Sequence, residues 1–109
     1  MENIKVKEGL ELPYRISYRV IKNFQMITGK GFESLDNPEL KDIEIMFFEG
    51  LKSGYRKMHG TSDFPHTLKD LEQWLDDDFT LLERLSTLTE NQTNVLNGAE
   101  ETKEEPAKP

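Results

Sequence analysis

Three places in this chain carry side chains whose types and spacing could do chemistry. The stretch "TGKGFESLDNPEL", residues 28–40, sets two glycines around Lys30, the composition of a loop that wraps a phosphate. His59 and His66 flank Asp63 in "HGTSDFPH", two imidazoles and a carboxylate that could converge on a metal ion. The run Asp76, Asp77 and Asp78 offers oxygen donors to a hard cation.

Each falls short of what its chemistry requires. A phosphate-cradling loop follows a strand, spaces its residues GxxxxGK[ST] and starts a helix at the lysine. Here a helical pattern precedes the glycines, so Gly29 reads as the residue that closes a helix and Gly31 as the turn that folds Phe32 and Leu35 back onto a core. The histidine spacing fits no zinc signature, and there is no cysteine to complete one, so both histidines read as solvated loop residues. The triple aspartate lacks the glycine and spaced oxygens of a calcium loop and reads as the end of one helix and the cap of the next. Nothing resembles a nucleophile elbow or a triad with its oxyanion donor, and no enzyme, cofactor or metal is expected. The basic run "KSGYRK", residues 52–57, sits among acidic segments and reads as the solvated side of a helix.

Composition narrows the function classes further. The chain has 109 residues, enough for about one domain, and 35% of them are hydrophobic. Its 14 basic and 21 acidic side chains give a formal charge of −7, which opposes attraction to nucleic acid or to an anionic membrane. Residues 98–109 hold four glutamates and two lysines, so the remainder stays acidic without them. No cysteine is present, which removes disulfides and thiolate sites. The N-terminus lacks the basic start and apolar run of a signal peptide, and no stretch approaches the roughly 20 apolar residues of a membrane span. The expectation is a soluble protein of the cytoplasm.

The elements that must position these residues follow from periodicity. Ile4 and Val6, then Leu10, Leu12, Tyr14 and Ile16, alternate with polar neighbours, which predicts two strands joined by a turn at Glu8 and Gly9. Pro13 has no N–H to give, so it predicts an outward edge or a bulge. A lone hairpin is marginal in water and must pack on helices or pair with another chain. Ser17 caps a first helix over 18–28 with Val20, Ile21, Phe24 and Ile27 on its apolar face. Asn37, Pro38 and Glu39 form the start signal of a second, whose stripe is Leu40, Ile43, Phe47, Leu51, Tyr55 and Met58. Gly50 and Gly54 beside that stripe admit the close approach of another backbone.

Ile45 lies off the stripe and Met46 and Phe48 flank it, so this helix carries more apolar surface than one partner covers. Thr67 and Asp70 form a capping box opening a third helix with Leu68, Leu71, Trp74 and Leu75. Leu81, Leu82, Leu85, Leu88, Val95 and Leu96 make the stripe of a fourth, and disorder is expected beyond Gly98. The fold class is therefore mainly α: an N-terminal β-hairpin followed by four helices in a small bundle, one domain over 1–97, with a disordered acidic C-terminal tail over 98–109.

The ordered succession of these parts resembles the phage tail assembly chaperones. "IKVKEGLELPYRISYRVIKNFQMITGKGFESL" is similar to the start of that family, with two short strands, a "YRIS" lead-in, a helix carrying a central aromatic and a "TGKGFESL" segment. "DIEIMFFEGLKSGYRK" resembles its second helix and "HTLKDLEQWLDD" the T-x-x-x-L helix that follows; the resemblance covers residues 3–97. It implies a non-catalytic helper of long-tailed phage or prophage assembly, short product of its gene, acting in the bacterial host cytoplasm and absent from the mature virion. It further implies that the chain binds the tape measure protein, keeps it soluble until tail tube subunits polymerise around it, and self-associates into rings or spirals. A longer frameshifted product would engage the tail tube protein.

On this reading the partner or self-association surface is Ile45, Met46 and Phe48 with Leu81, Leu85 and Leu88, against the alternative that these residues complete the core. Two rival readings are an acidic DNA mimic that inhibits a basic nucleic-acid-binding protein, and a small helix-turn-helix regulator. The first needs carboxylates at duplex-like spacing on one face, and the acids are scattered. The second needs Arg, Lys, Asn or Gln along a recognition helix, and the fourth helix carries mainly acids and threonines.

Overall fold

A computed structural model describes residues 2–31, 39–61 and 63–107, with side chains through Thr93. Strand β1 (Glu2–Lys7) and strand β2 (Leu10–Tyr14) pair antiparallel, with Ile4 opposite Leu12 and Asn3 opposite Pro13. Gly9 turns the chain at φ 81°, a left-handed conformation that side-chain-bearing residues resist. The register shifts between Lys5 and Lys7, so the bulge lies on β1 around Val6 and not at Pro13.

Helix α1 (Tyr18–Thr28) begins where Ser17 Oγ accepts the Val20 N–H at 3.4 Å, and it ends at left-handed Gly29, whose N–H donates to the Gln25 carbonyl at 2.8 Å. Helix α2 (Leu40–His59) starts after Glu39, which makes no side-chain cap, and ends at left-handed Gly60. The expected start signal at Asn37 and Pro38 lies outside the described residues.

Helix α3 (Leu68–Asp77) carries the predicted capping box: the Asp70 N–H donates to Thr67 Oγ1 at 3.2 Å and the Thr67 N–H to Asp70 Oδ2 at 2.9 Å. Asp78 then links two helices, closing α3 with its own N–H and accepting the Thr80 N–H at 3.1 Å and the Thr80 hydroxyl at 2.6 Å at the start of α4 (Thr80–Ala107). The α4 backbone runs to Ala107.

The hairpin answers its own marginal stability by lying on α2. Gly50 and Gly54 are one turn apart on the helix, and a Cβ at Gly50 would overlap the edge of the Tyr14 ring while one at Gly54 would overlap the Pro13 carbonyl. The absent side chains let β2 settle onto the helix backbone, where the Arg15 N–H donates to the Gly50 carbonyl at 3.1 Å. From the other side, Gln92 of α4 clamps the same stretch, accepting the Ile16 N–H at 2.6 Å and donating to the Tyr14 carbonyl at 3.1 Å. Tyr14 is fully buried. Its hydroxyl donates to Thr89 Oγ1 at 2.6 Å, since that hydroxyl spends its own proton on the Leu85 carbonyl. Burial drives the Tyr14 phenol pKa far above its ordinary value, so it stays protonated throughout. Tyr14, Phe24, Leu51, Leu71, Leu81 and Leu85 are all at 0% exposure, which ties the hairpin and the four helices into one core.

Replacing Gly54 by alanine tests the close approach. In an exposed helix this change gains about 1 kcal/mol, whereas here the new methyl meets rigid backbone and overpacking of that kind costs about 1–3 kcal/mol. Urea titration of Gly54→Ala is expected to show a net loss of stability; a more stable variant would mean that β2 does not sit this close.

Candidate functional site

None of the three chemically suggestive stretches assembles a reaction centre among the described residues. Lys30 Nζ reaches Asp42 Oδ2 at 2.7 Å and Glu39 Oε1 at 3.4 Å, so it ties the chain after α1 to the first turn of α2. The Asp42 carboxylate raises the lysine pKa by hydrogen bonding to the charged form. Of the two histidines expected to be solvated, His59 is exposed at the end of α2 and His66 is half-buried, and both stand in a chain of aromatic contacts. His59 lies 4.2 Å from the Tyr55 ring, and His66 lies 5.3 Å from Phe64 and 5.1 Å from Trp74 between ring centroids. No group of three or more His, Cys, Asp or Glu among the described residues could hold a metal ion.

Of the six residues expected to form the association surface, four belong to the core. Ile45 is 8% exposed, Met46 1%, and Leu81 and Leu85 0%. The expectation treated α2 as a helix with one covered side, but β2, α1 and α3 all pack on it, so residues flanking the main stripe are covered too. Phe48 and Leu88 are half-buried at the rim; Phe48 meets Phe64 edge to face at 5.7 Å.

The apolar side chains left in solvent are different ones. Leu40, read as part of the core stripe, is 68% exposed, and Phe79, at the α3–α4 corner, is 74% exposed. Both line a shallow groove of about 230 Å³ with Ile43, Leu75 and Leu82. Three acids border it: Glu44 from α2, and Glu72 and Asp76 from α3. Partial burial and the negative charge and hydrogen bonding of Glu72 raise the Glu44 carboxyl pKa above its ordinary value. No cation among the described residues lies within ion-pair distance of Glu44, Glu72 or Asp76.

A larger cleft of about 690 Å³ lies between β1 and the α3–α4 corner, and two ion pairs close within it, Lys5 with Glu8 and Arg84 with Asp78. Arg84 donates to the Lys5 carbonyl at 2.7 Å and to Asp78 at 2.9 Å, so that cleft holds a strap between strand and helix. Other acids are likewise committed: Asp42 and Glu49 are buried at 4% and 5% exposure facing α1, and Asp70 and Asp78 serve as caps. Comparison with protein-family models, with curated proteins and with solved structures finds no significant match. No helix among the described residues is long and apolar enough to cross a membrane.

The unbalanced acid pair has a measurable signature. In the unfolded chain Glu44 ionises near 4.5, and in the fold it ionises at higher pH, so stability falls as pH rises through that interval and remains lower above it. Glu44→Gln is therefore expected to melt above the parent at pH 7 and with it at pH 3. Equal melting temperatures at pH 7 would show that the two carboxylates do not crowd.

Proposed function

We propose that this chain is a tail assembly chaperone of a long-tailed phage or prophage, which binds the tape measure protein and promotes assembly of the tail tube around it. The observation that carries the reading is the placement of large apolar side chains in solvent by an acidic chain whose core is already complete: Phe79 at 74% and Leu40 at 68% exposure. Apolar patches of this kind mark surfaces for other macromolecules. The order of parts supports the same reading, since a hairpin, a short capped helix, a long helix and a helix with a capping box follow one another as the resemblance requires.

The mechanism is coverage. A long helical client exposes apolar stripes that drive aggregation; many small copies covering them exchange that surface for a charged exterior, and a net charge of −7 per copy keeps the coated client dispersed. The commitment of Asp42, Glu49, Asp70 and Asp78 to internal roles supports a protein client over mimicry of nucleic acid. A longer product, with a further domain joined after this one, would bring the tail tube protein to the same complex.

Co-expression with the tape measure protein encoded beside it tests this. The soluble yield of the tape measure is expected to rise several-fold with the chain present and to drop back with Leu40→Asp/Phe79→Asp, whose sites are too exposed to disturb folding. An unchanged soluble yield would overturn the assignment.

A further inference from the structure

We infer that the Leu40–Phe79 groove receives a helix that carries a lysine or arginine one to two turns from a large apolar side chain. On the client reading above, on which this rests, that helix belongs to the tape measure protein.

The groove has two ends of different character. At one end Glu44 of α2 meets Glu72 of α3, close enough to hydrogen-bond when one is protonated and to repel when both are charged. From there Leu40 lies four residues back along α2 and Phe79 seven residues on along α3, and both line the same groove. At about 1.5 Å of rise per residue these steps are about 6 Å and about 10 Å, so the apolar end stands one to two helical turns from the carboxylate end. Half-buried Ile43 and Leu75 lie between the two, and Asp76 adds a third carboxylate one turn on from Glu72.

The fold itself benefits from neither end. Two carboxylates facing each other from separate helices weaken it at neutral pH, and no described base lies within ion-pair distance of Glu44, Glu72 or Asp76. Leu40 and Phe79 remain in water. One ligand helix relieves both conditions: its cation sits between Glu44 and Glu72, where charge-assisted hydrogen bonds form, and its apolar side chain displaces water from Leu40 and Phe79. A helix meets this spacing because residues four and seven apart share one of its faces at those distances. The three carboxylates repel nucleic acid and acidic stretches, and a charge of −7 per chain disfavours a second copy in the same place. The acids are exposed or half-buried, so the ionic part of the contact is screened within about 8 Å at physiological salt.

Isothermal titration calorimetry with three synthetic helical peptides tests this. All share one row of leucines, and the flanking positions one turn away hold lysine, glutamine or glutamate. The parent is expected to bind the lysine peptide about tenfold more tightly than the glutamine peptide, to lose that advantage as salt is raised, and to bind the glutamate peptide weakest. Glu44→Gln/Glu72→Gln is expected to bind the lysine and glutamine peptides equally. Because this variant lacks the repulsion and is expected to melt above the parent at pH 7, a folding defect does not explain its lost preference. No binding of the lysine peptide, equal affinity of the parent for all three, or an undiminished preference in the double variant overturns the inference. So does an oligomer of the chain alone that the double variant disperses in sedimentation velocity, since a sister copy then fills the groove. Co-expression separates the two readings, with the double variant expected to lower the soluble yield of the tape measure protein. A tape measure kept soluble equally by parent and double variant leaves the chaperone reading standing and sinks the inference. A lysine preference in the peptides with no gain in tape measure solubility leaves the groove chemistry standing and removes that client.

Discussion

The whole architecture hangs on the approach of β2 to α2 at Gly50 and Gly54. A two-stranded sheet has too little surface to hold itself together in water, and this one gains its stability by lying directly on a helix backbone. Contact at that range requires a helix face without Cβ atoms. It also brings unpaired strand groups within reach of the helix, and the Arg15 N–H finds the Gly50 carbonyl there. Gln92 completes the arrangement by acting as a neighbouring strand would, one acceptor and one donor to the backbone on either side of Arg15. The hairpin is thus held between α2 and α4, and Tyr14 fills the space between them.

Once the hairpin occupies that side of α2, the remaining sides divide by polarity. Toward α1 the helix presents Asp42, Glu49 and Ser53, all buried, each with a polar partner: Lys30, Asn23 and Ser17. Buried charged or polar groups are tolerated when hydrogen-bonded and add little net stability, but they penalise any other seating of α1, because a shift would leave a carboxylate in the interior unpaired. Toward α3 the contacts are apolar and aromatic, from Phe48 and Tyr55 through Phe64 to His66 and Trp74. The histidines, which read as solvated loop residues, serve as rings with a polar edge at the solvent boundary of this layer.

Arg19 and Lys22 on the outside of α1 have no ion-pair partner among the described residues, and neither do Glu44, Glu72 and Asp76 where α3 meets the first half of α2. Exposed aromatic and aliphatic side chains stand among both. A chain that meets its own apolar needs internally yet keeps such surfaces at two ends is organised for contact with other molecules.

Local chemistry made much of this legible in advance. The turn at Gly9, the caps at Ser17, Gly29, Thr67 and Asp78, and the extent of α1 all depend on residues within four positions of one another, so the order of amino acids determines them. The need for some backbone to approach Gly50 and Gly54 was equally visible, though not that it would be the chain's own strand. What only the tertiary structure decided is which apolar side chains are spent. Ile45 and Met46 on α2, and Leu81 and Leu85 on α4, looked available because a helical repeat reports direction around one axis and not how many neighbours will surround it. Leu40 looked internal for the same reason, and Phe79 stood in no periodic stripe at all. The pairing of Glu44 with Glu72 joins positions on two helices whose relative placement no local pattern encodes. Helices and caps follow from neighbours in sequence; the free surface is the remainder after long-range packing, and it exists only once every element has been placed.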